Sequence, residues 1–100
     1  MPKINEDSEV VLDITNPPMY KVILHNDDYT PMDFVVDILI KIFHKTIEEA
    51  EDIMWQVHEK GKAVCGIYVK EIAQTKAEQV KHHAKANGFP LLATIELDKG

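Results

Sequence analysis

Three short stretches of the chain are rich in apolar, β-branched or aromatic residues, and one of them also alternates with a period of two, which predicts β-strands. Residues 19–25, MYKVILH, have β-branched and aromatic side chains at their centre and are followed by a turn signal. Residues 63–69, AVCGIYV, have the same character, and residues 92–97, LATIEL, alternate between two faces. The pattern therefore predicts three strands separated by longer segments.

The segment after the first strand predicts a helix that begins at Thr30. Thr30 suits the N-cap, Pro31 suits the first helical position, and Asp33 stands where the acidic partner of a capping box belongs. Apolar side chains then repeat at helical spacing, and they are Met32, Val35, Val36, Leu39, Ile42 and Phe43.

A second helix is marked at both ends. Thr46 and Glu49 have the spacing of a capping box, and Gly61 marks the end of the helix. One predicted face of this helix consists of Ile47, Ala50, Met54, Val57 and His58.

A third helix is predicted over residues 71–87, with Asn87 and Gly88 as its stop signal. Val69 stands where a hydroxyl cap is expected, so the first turn of this helix is predicted to fray. The inward face consists of Ala73, Ala77, Val80 and Ala84.

The resulting order is β-α-α-β-α-β, which predicts an α+β fold. We expect a small sandwich in which three helices cover one face of a three-stranded antiparallel sheet. The 100 residues make one domain at most. Residues 1–18 carry four acidic side chains against one lysine and end in Asn-Pro-Pro. This composition predicts a flexible N-terminal extension, followed by the domain at residues 19–100.

The charge of the chain indicates which kinds of molecule it is suited to bind. The formal net charge is −6, and all 11 basic residues are lysine. Arginine is the usual residue for bidentate contacts to phosphate and guanine, so a nucleic-acid partner is not predicted. An acidic surface suits a basic or cationic partner, although it also serves solubility alone.

The chain lacks the residue sets of catalysis, of metal binding and of membrane insertion. Its single cysteine excludes an internal disulfide and fits a reducing compartment. No apolar run approaches the ~20 residues that a membrane span needs. Cys65 is interpreted as an inert strand thiol, and no nucleophile, acid–base pair or metal-ligand set accompanies it. We therefore predict a cytoplasmic, non-enzymatic binding module without a cofactor.

The candidate chemistry lies in the loop after the first strand, where Asn26, Asp27 and Asp28 are three consecutive acceptors. A calcium loop is excluded because Pro31 stands where the sharp-turn glycine is required. A turn uses one or two such acceptors, which leaves others for a ligand. His58 follows Met54 by one helical turn and so shares an apolar surface, although a solvated surface histidine is the alternative.

Several motifs, in order, resemble the ClpS family, the adaptors of the bacterial Clp protease. They span about residues 17–97 and read PPMYKVILHNDDYTPMDFV, MWQVHEKG, VCGIY, EIAQTK and FPLLAT. The resemblance implies a fold similar to the C-terminal domain of the ribosomal stalk protein. It also implies an adaptor that binds N-degrons, which are N-terminal Phe, Tyr, Trp or Leu residues, and delivers them to the AAA+ unfoldase ClpA or a related ATPase for degradation by ClpP.

The resemblance further implies roles for the residues that match. Asn26 and His58 match the residues that hold the substrate's α-amino group, Asp27 assists through water, and Asp28 orders the loop and contacts the peptide backbone. The implied hydrophobic pocket consists of Leu24, Thr30, Met32, Val35, Met54, Val57 and Leu91, with Met32 as the gate against β-branched side chains.

Partner contacts are implied in the same way. Glu71 and Lys76 match a surface that docks on the N-terminal domain of the unfoldase, and the extension matches a segment that the unfoldase pore engages. We expect a monomer. His25, Trp55 and Ala93 differ from the residues expected of the family. The alternative hypothesis is a stalk-like interaction domain that binds a translation or assembly factor through an exposed helix face.

Overall fold

A computed structural model describes residues 17–100 of the chain. The elements follow the order β1 (Met19–His25), α1 (Met32–Lys41), α2 (Ile47–Lys60), β2 (Lys62–Val69), α3 (Lys70–Ala86) and β3 (Leu92–Leu97). All six predicted elements are therefore confirmed in their predicted order, with boundaries that shift by one or two residues. The predicted extension, residues 1–18, lies outside the described residues except for Pro17 and Pro18.

The three strands form one antiparallel sheet in the order β2-β1-β3. The first strand of the sequence is thus the central one, which explains why its residues Val22, Ile23 and Leu24 are all buried. The register between β1 and β2 shifts after Val22, so that Cys65 has no partner across the ladder. This bulge bends β2 locally, as an extra strand residue does.

The helices and the sheet share one hydrophobic core. Val22 and Leu24 point to the same face of β1 because side chains alternate along a strand, and both belong to this core. All three helices contribute to it, so they cover that face of the sheet, and the predicted α+β sandwich is confirmed. The helical members are Val35, Ile38, Leu39, Ala50, Met54, Val57, Ala73, Val80 and Ala84.

The start of α1 differs from the prediction. Pro31, not Thr30, occupies the N-cap, and no side chain caps the helix. The backbone N–H groups of Phe34 and Val35 donate to the Pro31 carbonyl at 3.1 and 3.2 Å. The helix begins at Met32, one residue later than a Thr30 cap requires, and the Thr30 hydroxyl and N–H instead donate to the Asp27 carboxylate within the preceding loop.

The ends of α2 follow the sequence closely. The Glu49 N–H donates to the Thr46 hydroxyl at 3.1 Å, and the Thr46 N–H donates to the Glu49 carboxylate at 3.0 Å, which confirms the capping box. Gly61 ends the helix in the left-handed region with φ 90°, where a residue without a Cβ is favoured. Its N–H donates to the Val57 carbonyl at 3.0 Å.

Two predicted helix faces are only partly buried. On the predicted face of α2, Ala50, Met54 and Val57 are buried, whereas His58 is exposed. Ile47, in the first turn of α2, is 61% exposed. In α1 the buried residue Ile38 was missed, and Met32 is 40% exposed. As expected from Val69, α3 begins at Lys70 without a side-chain cap.

Candidate functional site

A cleft of about 390 Å³ opens between the β1–α1 loop and the C-terminal half of α2. It contains most of the residues predicted to form a binding site. Its lining residues are Asn26, Asp27, Asp28, Tyr29, Thr30, Pro31, Met32, Val35, Met54, Val57 and His58. The size falls within the range of small-ligand pockets, about 300–1,000 Å³.

The loop is joined to α2 by one backbone hydrogen bond. The N–H of Asn26 donates to the carbonyl of Gly61 at 2.8 Å. Gly61 ends α2 three residues after His58, so this bond brings the start of the acceptor loop next to the end of the histidine-bearing helix. Two segments that are 35 positions apart in the chain thus line the same cleft.

Asp27 organises the loop internally. One carboxylate oxygen accepts from the N–H groups of Tyr29 and Thr30 at 2.8 and 2.7 Å, and the other accepts from the Thr30 hydroxyl at 2.8 Å. Partial burial alone would raise the pKa of Asp27, but these hydrogen bonds outweigh it and hold the pKa below its ordinary value. Loop ordering, which the resemblance assigned to Asp28, is therefore performed by Asp27.

Three acceptors on the cleft are not used by the fold. The side chains of Asn26, Asp28 and His58 are exposed, and within residues 17–100 none of them makes a hydrogen bond or an ion pair. An amide carbonyl, a carboxylate and an imidazole nitrogen are all acceptors for N–H donors. The polar side of the cleft is thus able to receive a cationic donor group.

The remaining lining of the cleft is largely apolar and belongs to the core. Val35, Met54 and Val57 retain only 6%, 8% and 3% of their surface exposed, and all three pack into the main hydrophobic cluster. Met32 is the exposed member of this wall at 40%. A side chain that enters the cleft therefore meets a fixed apolar wall and one more accessible, flexible thioether.

Two residues predicted to line the pocket lie deeper. Leu24 is fully buried and Leu91 is 5% exposed, and both are members of the core cluster rather than of the cleft lining. Leu24 is the penultimate residue of the middle strand, on the face that the helices cover. Both leucines belong to the same hydrophobic core as the apolar lining residues Val35, Met54 and Val57.

The predicted docking residues lie on α3, away from the cleft. Glu71 is exposed in the first turn of the helix. Lys76 is half-buried, and its ammonium group donates to the Ile42 carbonyl at 2.6 Å while lying 5.7 Å from the centroid of the Tyr68 ring. Lys76 therefore joins α3 to the end of α1, an internal role that the sequence pattern did not reveal.

Among the described residues, the other candidate features are a nucleophilic cysteine, a metal site and a membrane-spanning helix, and each finds little support. Burial raises the pKa of the Cys65 thiol to about 12, so it is protonated at neutral pH and a poor nucleophile. No cluster of three or more His, Cys, Asp or Glu side chains within residues 17–100 is arranged to hold a metal ion. No helix in this part of the chain is both long and apolar enough to cross a membrane.

Sequence analysis missed two lining residues, Tyr29 and Pro31, and left Trp55 and His25 without a role. Tyr29 and Pro31 stand between predicted site residues in the loop, and this adjacency was the available signal. Trp55 contacts His58 edge-to-face, with ring centroids 5.8 Å apart. His25 Nε2 lies 2.8 Å from Thr94 Oγ1 in a hydrogen bond that links β1 to β3.

Comparisons with known proteins agree with this architecture. Residues 15–94 match the sequence model of the family described as ATP-dependent Clp protease adaptor protein ClpS. The chain is 55% identical over 80 residues to the ClpS adaptor protein of Desulforapulum autotrophicum, covering 80% of this chain and 77% of the relative. It is 56% identical over 89 residues to that of Sodalis glossinidius, covering 88% and 84%.

A solved structure is also similar. The structure of Agrobacterium tumefaciens ClpS2 bound to L-phenylalaninamide matches with a TM-score of 0.80 and 38% sequence identity, over 83% of this chain and 100% of that one. Sequence and fold therefore agree over the whole domain. The chain belongs to the ClpS family of ATP-dependent Clp protease adaptor proteins.

Proposed function

We propose that this adaptor binds proteins that begin with Phe, Tyr, Trp or Leu and a free α-amino group, and delivers them to a Clp unfoldase for degradation. The observation that carries the proposal is the cleft itself, in which unused acceptors face an apolar wall. An N-terminal residue carries a charged donor group and a side chain on the same atom, its Cα. The two sides of the cleft match these two groups.

The polar side fits an α-ammonium group, which carries three N–H donors and one positive charge. Asn26, Asp28 and His58 offer three kinds of acceptor on this side. Hydrogen bonds to charged groups contribute roughly 1.5–3 kcal/mol each. Asp27, whose oxygens already accept from Tyr29 and Thr30, contributes its negative charge and the shape of the loop.

The apolar side fits a large unbranched side chain. Burying a Phe or Leu side chain contributes about 1.5–3 kcal/mol, which is less than the roughly 4–15 kcal/mol that association costs. Neither half of the site suffices alone, so binding requires a free N-terminus and a bulky side chain together. Met32 is proposed to exclude a side chain that branches at Cβ, and its exposure on the cleft supports this role.

The similar Agrobacterium tumefaciens protein supports this chemistry, because it was solved with L-phenylalaninamide bound. That molecule carries a free α-amino group, a benzyl side chain and an amide in place of the next peptide bond. It therefore has the features of an N-terminal phenylalanine residue.

Delivery is proposed to occur in the cytoplasm to the N-terminal domain of a ClpA-type AAA+ unfoldase. The monomeric adaptor presents Glu71 on the exposed start of α3, with Lys76 close by in the same helix. Because the Lys76 ammonium bonds to the Ile42 carbonyl, its contribution to docking includes holding α3 in position. The N-terminal extension is proposed to be the segment that the unfoldase pore engages.

The test is fluorescence anisotropy with two labelled peptides that differ only at the N-terminus, one starting with free Phe and the other with acetyl-Phe. Acetylation removes the terminal charge and leaves the aromatic side chain. Binding of the free form alone is the expected result. Equal binding of both peptides would indicate a general apolar groove, and no binding of either would favour the stalk-like interaction domain.

A further inference from the structure

The exposed tryptophan of α2 lies against the histidine of the cleft. Trp55 and His58 are three residues apart, a spacing that places side chains on the same side of a helix. Their ring centroids are 5.8 Å apart and their planes meet at 74°, the edge-to-face geometry that aromatic pairs favour. Trp55 is 47% exposed and is not among the residues that line the cleft.

His58 has no polar partner to orient it. Within residues 17–100 its imidazole makes no hydrogen bond and no ion pair, although its side chain is exposed on the cleft. The orientation of a functional histidine is usually set by a hydrogen bond at its second ring nitrogen. Within residues 17–100, the side chain that His58 meets in a specific geometry is the Trp55 ring, and this contact is able to restrict the imidazole.

We propose that Trp55 is a positioning residue for His58, and that it increases the affinity of this adaptor for a free N-terminus. The proposal rests on the proposed function. An exposed side chain loses rotamer freedom when it binds a ligand, and a ring held beforehand loses less. Trp55 therefore strengthens binding through His58 without touching the bound residue.

A purely structural role fits the observations less well. Nearly half of the Trp55 surface is exposed, and Trp55 is not a member of the hydrophobic core that holds α2 to the sheet and to α1. The neighbouring residues Met54 and Val57 supply that packing. Replacing Trp55 should therefore leave the fold intact, which makes its effect on binding measurable.

The experiment is a double-mutant cycle measured by anisotropy with the free-Phe peptide. Trp55→Leu is expected to weaken binding by about 2- to 12-fold, the range that an aromatic pair contributes. In the His58→Ala background the same substitution is expected to have no effect. Trp55→Phe, which keeps an aromatic ring, should restore most of the affinity, and Ile47→Ala, at an exposed position in the first turn of α2, serves as the control.

The fluorescence emission of Trp55 distinguishes a role in positioning His58 from a role in stabilising the fold. Trp55 is the sole tryptophan of the chain. A free-Leu peptide without aromatic residues should change Trp55 emission in the wild-type protein, because the imidazole that contacts Trp55 accepts a hydrogen bond from the α-ammonium group on binding. The change should be absent in His58→Ala. An identical change in that variant would show that Trp55 senses the peptide directly and would overturn the proposal.

Different results would contradict the role of Trp55 and the proposed function. If the wild-type protein discriminates between free and acetylated peptides while Trp55→Leu binds normally, Trp55 does not position His58. If Trp55→Leu weakens binding equally in the wild-type and His58→Ala backgrounds, Trp55 acts independently of His58, and the proposal is again overturned. If the wild-type protein does not discriminate between the two peptides, both proposals fail.

Discussion

The backbone N–H of Asn26 donates to the carbonyl of Gly61 at 2.8 Å. This bond joins the first residue after the central strand to the residue that ends α2. Gly61 has φ 90°, a conformation that residues with a Cβ rarely adopt. This backbone conformation, which glycine adopts readily, therefore orients the Gly61 carbonyl toward the Asn26 N–H. The resulting hydrogen bond joins the acceptor loop to α2, the helix that carries His58.

Replacing this glycine should affect stability and binding together. Gly61→Ala forces a Cβ into the left-handed region, at a cost of roughly 1–2 kcal/mol, and shifts the carbonyl that Asn26 needs. We expect a lower free energy of unfolding and weaker binding of the free-Phe peptide. Gly88→Ala is the matched control, since Gly88 has φ 77° after α3 and lies outside the cleft lining. An equal loss of affinity in both variants would contradict this role for Gly61.

Removing the imidazole should affect binding without unfolding the domain. His58 is exposed and contributes nothing to the core, so His58→Ala is expected to retain the wild-type free energy of unfolding. Loss of one hydrogen bond to a charged group should weaken peptide binding by about tenfold or more. His82→Ala, at an exposed position on α3, is the control. Unchanged peptide affinity in His58→Ala would remove His58 from the site.

We expect Met32 to exclude peptides whose first residue is branched at Cβ. Shortening it in Met32→Ala opens space beside the apolar wall, so peptides that begin with Ile or Val should gain affinity relative to Phe by roughly 5- to 150-fold, or ~1–3 kcal/mol. Anisotropy with peptides that differ only in the first residue measures this ratio. Met19→Ala, at a similarly exposed methionine on β1, should leave it unchanged. The same ratio in Met32→Ala and in the wild-type protein would show that Met32 is not the gate.

The Asp27 carboxylate should make loop stability depend on pH. Its pKa is lower in the folded chain than the ordinary value of 3.8, so it stabilises the folded state above that pH, and the contribution is lost as pH falls through the lower folded value. Asp27→Asn should therefore cost about 1 kcal/mol at pH 7, because the amide keeps one acceptor but not the second. Denaturant unfolding of the variant and the wild-type protein measures this difference.

The difference between Asp27→Asn and the wild-type protein should shrink below pH 4, where the wild-type carboxylate takes up its proton. Asp52→Asn, at an exposed carboxylate on α2 with no hydrogen-bond partner among residues 17–100, is the control for removing a charge. A constant difference from pH 7 to pH 3 would show that the hydrogen bonds of Asp27 do not require its charge.

The single cysteine should be unreactive in the folded protein. Cys65 is 1% exposed and burial raises its pKa to about 12, so the thiolate is scarce and inaccessible. A thiol-specific chromogenic reagent at pH 8 should label the native chain only at the rate of unfolding, and should label one thiol per chain at once in denaturant. Gln79→Cys provides an exposed thiol as a positive control. Rapid labelling of the native wild-type protein would contradict the buried assignment.

Much of the fold was predictable because its signals are local. The Thr46–Glu49 capping box and the Gly61 stop join residues within one helical turn, so the residue types suffice to predict them. The β-α-α-β-α-β order follows from the change of period along the chain. The acceptor loop and His58 were also identified from local features and from the family resemblance.

Other features depended on contacts between distant segments. Thr30 was predicted as the N-cap of α1, but its N–H and hydroxyl both donate to the Asp27 carboxylate. The spacing of these residues does not determine whether Thr30 belongs to the helix start or to the loop. Leu24 and Leu91 were predicted at the pocket, but their depth depends on how the helices cover the sheet. Lys76 was predicted as a docking residue, and its bond to Ile42 spans 34 positions.

The sequence by itself thus determined the elements, their order, the acidic character and the family, because each rests on local preference or on residue identity. The tertiary structure alone decided which acceptors remain available to a ligand. Asp27 is used by the loop, whereas Asn26, Asp28 and His58 face the cleft without a partner among residues 17–100. This outcome depends on the packing of α2 against α1 and β2, which brings the end of one segment to the start of another.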